Sequence, residues 1–346
     1  GETGQMARKL ASGLKTLGLK PNSHIGLISK NCREWVIADL AIMMAGYISV
    51  PFFATLTGKE LGNLLDFGDV DALFVGKIEH WDEIKSHIPN KMPIIGFPRY
   101  KGHSLIDRGH SWFGIINKFE PITEPHVPKL SDTWTIIFTS GTTGNPKGVL
   151  YSHKSNILHA QASLTAMSIS PNETILMVVP LFHVLAWGIP YYGPMYGSKL
   201  VMPGMQMEGE PLYDLIDKEK VTLAFGVPTI WMGLLAYCRD NNKILSSVKN
   251  TIIGGAALSL STLQEFDEVH DVNVIHAWGM TEMSPLGTTN VPTPDMDNMS
   301  KEEKYAVQLK QGKPIFGVEL KVVDDMGIEL PKDGESQGHL MVRGPW

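Results

Sequence analysis

Apolar residues recur at helical spacing from Gln5 to Gly18, where Met6, Leu10, Leu14 and Leu17 share one face and Gly18 supplies a stop. The short apolar run HIGLIS then predicts a buried strand, REWVIADLAIMMA a helix, and ISVPFF a second strand. The alternation continues with a helix at KELGNLLDF, a strand at ALFVG, a helix near WDEIKSH and a strand at PIIGF. Runs this short and this apolar, separated by helices, predict a parallel sheet covered on both faces, since such strands keep no polar side for water.

Residues 99–131 break the pattern, with Pro121, Pro125 and Pro128 close together, and read as a connecting segment. Alternation resumes at WTIIFTS and runs through a helix from Lys154, strands at TILMVVP, SKLVMP, TLAFGV, TIIGG and VNVIHAWG, and the helices between them. From about Gly312 the chain is rich in Val, Leu and turn pairs such as DDMG and KDGE, which predicts antiparallel β structure. The fold class is therefore α/β, with two α/β sheet subdomains and a small antiparallel β portion. The expected boundaries are 1–130, 131–311 and 312–346. No repeat of fixed period and no low-complexity tract interrupts this plan.

Composition narrows the function. The 346 residues carry a net charge of −6, with 43% hydrophobic and 19% charged residues, as in an ordinary soluble protein. That balance argues against nucleic acid as a partner but leaves room for a local anion pocket. Cys32 and Cys238 are too far apart to form a CxxC metal site, and two cysteines favour a reducing compartment over a disulfide scaffold. Of the two most apolar regions, EWVIADLAIMMAGY is too short to span a bilayer and contains Asp39. ETILMVVPLFHVLAWGIPYYGPMYG carries three prolines and His183. Both read as core, so no transmembrane segment is expected. The expected location is cytoplasmic, with peripheral membrane contact left open.

The densest chemistry lies in TSGTTGNPKG, Thr139–Gly148, directly after an apolar strand. Gly141 and Gly144 permit the turns that aim several backbone N–H groups at one anion. Ser140, Thr142 and Thr143 add hydroxyl donors, Thr139 is within sequence reach of a metal ion, and Lys147 supplies positive charge for a polyphosphate. A solvated hairpin turn is the plainer alternative, but the hydroxyl density with one lysine favours anion binding. The spacing is not that of a P-loop: counting from Gly141, Pro146 stands where the second glycine belongs. Nor does a G-x-G-x-x-G follow an N-terminal strand, which weakens a dinucleotide reading.

This stretch resembles the phosphate-binding signature of the adenylate-forming superfamily, which includes acyl-CoA synthetases, firefly-type luciferases and the adenylation domains of peptide synthetases. Other segments agree in order. PLFHV at 180–184 resembles the family's aromatic and histidine segment beside the acyl pocket, and GGAAL at 254–258 its adenine-binding strand end. WGMTE at 278–282 resembles Y-G-x-T-E with Trp for Tyr. GKPIFGVELKVVDD and GHLMVRGP resemble strands that close the large domain. The likeness covers essentially the whole chain and implies the layered αβαβα arrangement of an acyl-CoA synthetase N-terminal domain.

The resemblance implies roles residue by residue. Thr139, Ser140, Gly141, Thr142, Thr143, Gly144 and Lys147 would hold the ATP phosphates. Glu282, helped by Thr139, would ligate Mg2+. Gly255, Ala256, Ala257, Trp278, Gly279 and Met280 would form the adenine slot, and Thr281 would touch the α-phosphate. Trp278 can stack but lacks the phenolic hydroxyl of the usual Tyr. His183, by motif position, would meet the carboxylate and α-phosphate, making His183, Thr281 and Glu282 the catalytic set, while His276 reads as structural. Val184, Trp187, Val227, Trp231 and Met283 would line the acyl pocket. None of these five is acidic, which favours a fatty or other simple carboxylic acid over an amino acid.

Substrates and cofactors would then be ATP, Mg2+, coenzyme A as co-substrate and a small-molecule carboxylic acid. Dimers are common in this superfamily, so a homodimer is a candidate assembly. GLISKNCREWVIADLAIMMAGYISVP looks like long-chain fatty acid ligases, whereas GVLYSHKSNILHA through FGVPTIW looks like medium-chain and methylmercaptopropionate-type ligases. The family pattern continues with a T-G-D segment and a lysine-bearing lid, and this chain reaches Trp346 before either. Both ends read as cut, so the expectation is a fragment that binds ATP but adenylates slowly or not at all. The competing readings are a catalytically silent nucleotide-binding fragment and an adenylating relative with a different acceptor.

Overall fold

The apolar runs of the first third of the chain become strands of one sheet. A computed structural model describes residues 1–139, 146–204 and 207–346. Its contacts divide the chain into two compact units. The first holds Gly1–Lys154, Val178–Ala186 and Met202–Met205, the second Ser155–Met177, Trp187–Val201 and Gln206–Trp346.

In the first unit the strands are β1 (His24–Ile28), β2 (Ile48–Phe52), β3 (Val70–Val75), β4 (Ile94–Gly96), β5 (His110–Ser111), β6 (Thr133–Thr139) and β7 (Lys147–Ser152). They lie in the order β5-β4-β3-β1-β2-β6-β7. All pairings are parallel except β6 with β7, which is antiparallel. The helix Arg33–Ala45 matches its sequence reading and stops at Gly46, whose φ of 84° lets its N–H cap the Ile42 and Met43 carbonyls. Nine of its thirteen residues are buried, so it carries almost no polar stripe. Helix Gly58–Phe67 starts on a reciprocal capping box between Thr57 and Glu60. Its Leu61 and Leu65 join Ile28, Val50, Phe52, Leu73 and Trp81 in the core of this unit.

The second unit has β8 (Thr174–Met177), β9 (Lys199–Val201), β10 (Leu223–Gly226), β11 (Asn250–Ile253), β12 (Asn273–Gly279), β13 (Leu286–Asn290) and β14 (Lys313–Pro314). Their order is β14-β13-β12-β11-β10-β8-β9. The run from β9 to β12 is parallel, and β13 and β14 are antiparallel. A separate antiparallel pair, β15 (Glu319–Val323) with β16 (His339–Arg343), forms the expected β portion after Gly312. The fold is thus mixed α/β, with two sheets dominated by parallel strands and a small antiparallel sheet.

Three local features differ from the pattern reading. The strand Thr133–Thr139, read as opening the second alternation, pairs with β2 through Ser49 and Thr135. Thr135 Oγ1 also donates to the Ser49 carbonyl at 2.9 Å, and neither side chain leaves a trace in hydrophobic periodicity. The segment 99–131 is not wholly irregular, because Ser111 caps a helix Trp112–Lys118 that buries Trp112 and Ile115. Beyond β12, strand β13 and the capped helix Lys301–Gln308 fall in polar sequence with no clear period. Among the described residues no helix is long and apolar enough to cross a membrane.

Candidate functional site

Each unit carries its own share of the candidate residues. In the first, β6 and β7 form a hairpin in which Thr139 and Lys147 are the cross-strand partners nearest the connection between the two strands. Thr139 is half-buried and Lys147 exposed. Ser140, Gly141, Thr142, Thr143 and Gly144, expected to hold phosphates, lie outside the described residues.

His183 sits in the same unit, on the segment after Pro180. Its imidazole is 5.7 Å from the Phe53 ring, and Phe53 is 5.0 Å from Phe182. The ring keeps a face to solvent, yet the surrounding apolar mass displaces enough water to hold its pKa below the ordinary histidine value. A neutral imidazole is favoured at pH 7. Directly after it Val184, Leu185 and Ala186 take φ of 48°, 43° and 45°, a left-handed turn costing non-glycine residues about 1–2 kcal/mol each. Such strain persists only where neighbours over-determine the backbone.

One anchor for that segment is Asn31, at the turn between β1 and helix Arg33–Ala45. Its Nδ2 donates to the Val179 carbonyl at 2.8 Å, and its Oδ1 accepts from the Leu181 N–H at 2.7 Å. Asn31 is 7% exposed, so removing the amide strands two buried backbone groups. Asn31→Ala is expected to destabilise the chain by about 2–6 kcal/mol, from roughly 1–3 kcal/mol for each of the two unsatisfied groups. A lowered urea midpoint checks this, and Asn31→Asp should fail as well, because a carboxylate oxygen would face the Val179 carbonyl.

In the second unit the candidates gather at the carboxyl ends of adjacent parallel strands. Val227 follows β10, Gly254–Leu258 follow β11, and Trp278–Met283 close β12. Strand order reverses between β8 and β10, the position where open α/β sheets place their ligands. Gly255 has φ 80°, and a Cβ there would lie 3.3 Å from Val227 Cγ1 and 3.9 Å from the Trp187 ring. A Cβ on Gly254 would stand 3.4 Å from the same indole. Trp187 and Val227, two expected acyl-pocket residues, therefore both border the expected adenine strand end. Gly255, Ala256 and Ala257 are themselves exposed, leaving their backbone open to a flat ligand.

The β12 turn is built by close backbone approach. A Cβ on Gly279 would fall 2.0 Å from the Pro285 carbonyl oxygen, and that oxygen accepts the Met280 N–H at 3.0 Å. Gly287 supports it: a Cβ there would meet Trp278 Cζ3 at 2.8 Å and Met283 Cε at 2.7 Å. The indole of Trp278 is half-buried and that of Trp187 likewise. On the short turn Thr281–Met283, Thr281 and Met283 point inward while Glu282 presents its carboxylate to solvent. Among the described residues no group of three or more His, Cys, Asp or Glu gathers to hold a metal ion. A lone exposed carboxylate fits Mg2+, which keeps several waters and takes the rest of its ligands from phosphates.

Not every expected residue joins these clusters. Trp231 is 1% exposed and packs edge-on against Phe266 at 6.2 Å, between helices Pro228–Asp240 and Leu260–His270. Val184 is buried in the first unit. His276 is buried too, with Nδ1 donating to the Leu309 carbonyl at 3.0 Å, as a structural histidine would. The pattern reading missed Asn31, Gly287 and His159. Asn31 alone had a local signal, a polar residue between a buried strand and a buried helix. His159 acquires meaning only from a partner 127 residues away, and Gly287 only from the fold of the Trp278–Met283 turn packed on it.

The family model for AMP-binding enzymes matches residues 1–346. A 3-methylmercaptopropionyl-CoA ligase of Ruegeria lacuscaerulensis is 39% identical, the match covering 100% of this chain and 65% of the relative. A medium-chain-fatty-acid–CoA ligase of Ectopseudomonas oleovorans is 37% identical, over 98% of this chain and 63% of its own. The chain thus spans 63–65% of the length of these relatives. A long-chain-fatty-acid-CoA ligase from Archaeoglobus fulgidus superposes with a TM-score of 0.83 at 23% identity, covering 99% of this chain and 67% of that one. That likeness shows the fold. With the family model matching the whole chain and relatives at 37–39% identity, the chain belongs to the AMP-binding enzyme family.

Proposed function

We propose that this chain is the nucleotide- and acid-binding portion of an ATP-dependent acyl-CoA synthetase acting on a medium- or long-chain carboxylic acid. The observation that carries the reading is the approach of Trp187 and Val227, both apolar, to the Gly254–Gly255 strand end. The names of the relatives, medium-chain-fatty-acid and 3-methylmercaptopropionyl-CoA ligases, support the same substrate class.

In the proposed reaction a carboxylate oxygen attacks the α-phosphorus of ATP, forming an acyl–O–P bond while pyrophosphate leaves. The thiolate of coenzyme A then attacks the acyl carbon and AMP leaves. Bringing carboxylate and polyphosphate together requires charge neutralisation in a fixed geometry. Lys147 would supply that charge to the phosphates, with Ser140–Gly144. Glu282 would hold Mg2+, which offsets phosphate charge, and Thr281 would donate to the α-phosphate. Gly255, Ala256, Ala257, Trp278, Gly279 and Met280 would take the adenine. His183, neutral at pH 7, would orient the carboxylate by a hydrogen bond. Trp187, Val227 and Met283 would exclude water around the acyl chain, and Trp231 would support them from the core.

Calorimetric titration tests the reading. The chain is expected to bind MgATP and a non-hydrolysable decanoyl-adenylate analogue. Lys147→Ala should weaken MgATP about tenfold, the loss of one charge-assisted contact, and leave the fold intact because Lys147 is exposed. Unchanged affinity in that variant would remove Lys147 from the phosphate site.

A further inference from the structure

His159 is a buried histidine that the proposed chemistry does not use. It lies on helix His153–Ala166, its residue 0% exposed. Its Nε2 accepts the Leu286 N–H at 3.2 Å and lies 3.3 Å from Ser163 Oγ. A nitrogen that accepts a backbone N–H carries no proton, so in the neutral ring the proton sits on Nδ1. Burial keeps the ring neutral, with its pKa pushed down to about 3.

The partners lead straight to the candidate residues of this unit. Leu286 opens β13, one residue after the Pro285 carbonyl that receives the Met280 N–H beneath Gly279. The carbonyl of Leu286 is itself held, by the Trp346 Nε1–H at 3.1 Å, and the Trp346 ring stands edge-on to His159 at 6.3 Å. On another side the imidazole occupies the space a side chain at Gly188 would need. A Cβ there would lie 2.8 Å from His159 Cε1, and Gly188 has φ 83°. Gly188 follows Trp187, the indole over Gly254 and Gly255. One ring thus braces the return of the Trp278–Met283 turn and the base of the Trp187 turn.

We infer that His159 is a positioning residue, which through the Leu286 N–H and the Gly188 turn holds the Glu282-bearing and Trp187-bearing turns in the arrangement that binds MgATP and the apolar acid. It touches neither ligand. The inference rests on the proposed function, and its test separates the two.

MgATP is titrated into the parent chain, His159→Gln and His159→Leu. Glutamine keeps an acceptor near the place of Nε2, whereas leucine fills the volume without one. The glutamine variant is expected to stay within about twofold of the parent and the leucine variant to weaken about tenfold, the effect of one buried hydrogen bond. A parent that binds no MgATP overturns the functional reading and this inference with it. A parent that binds, with a leucine variant of equal affinity, overturns this inference alone. Should the leucine variant not fold, 15N NMR of the parent histidines decides. The expected signature is an Nδ1–H tautomer between pH 8 and pH 5, with an Nε2 resonance that moves when MgATP is added. An Nε2–H tautomer, or an Nε2 resonance unmoved at saturation, overturns the assignment.

Discussion

Glu282→Gln is expected to lower MgATP affinity about 10- to 100-fold while leaving affinity for ATP in EDTA unchanged. Glu282 stands on the turn Thr281–Met283 with both neighbours buried and its own carboxylate exposed. The backbone of that turn is fixed by the Met280 N–H bond to Pro285 and by the absence of side chains at Gly279 and Gly287. Glutamine has the same shape, and its amide changes no core contact, so the fold should persist and only the charge be lost. A contact with a charged group contributes roughly 1.5–3 kcal/mol, which sets the expected range. Paired titrations with and without Mg2+ measure it. A variant that loses equal affinity in both conditions would place Glu282 on the nucleotide rather than the metal, and one that loses none would remove it from the site.

The second large effect is acid lability. His159 keeps a folded pKa of about 3 against an ordinary 6.5, so between those values the unfolded chain takes up a proton that the native chain refuses. The unfolded state then binds more protons, and stability falls as pH falls. The contribution is fully present above pH 6.5 and is lost progressively down to about pH 3, at roughly 1.4 kcal/mol per pH unit well inside the window. At pH 5 His159 alone accounts for about 2 kcal/mol. His103, His153 and His270 are also lowered by burial and act in the same direction. Urea denaturation at pH 7.5 and pH 5 should show the drop, and His159→Gln should show a smaller one. An equal drop in both proteins would mean that His159 is protonated without penalty.

Much of the site was legible because its chemistry is local. Gly255, Trp278, Gly279 and Glu282 were placed by short motifs, and the structure puts them at adjacent carboxyl ends of parallel strands. Trp187 and Val227 were named as lining residues from the resemblance and their apolar character, and both lie beside Gly255. Trp231 had the same character and lies between two helices instead, since an indole in a helix reads identically whether it faces a ligand or a neighbouring helix. Asn31 showed locally only as a polar residue between a buried strand and a buried helix, and the roles of Asn31 and His159 come from partners 148 and 127 residues away.

The sequence by itself determined most of the elements. Apolar runs, caps such as Thr57 with Glu60 and stops such as Gly46 act over a few residues, so their physics is complete within each segment. Tertiary structure alone decided which strands pair, sending Thr133–Thr139 to β2, folding Lys147–Ser152 back on it, and turning β13 antiparallel to β12. It also decided that a histidine inside a helix should hold the backbone of a strand 127 residues away. Pairing and bracing depend on surfaces that exist only once the chain has brought distant segments together, and no periodicity along the chain encodes them.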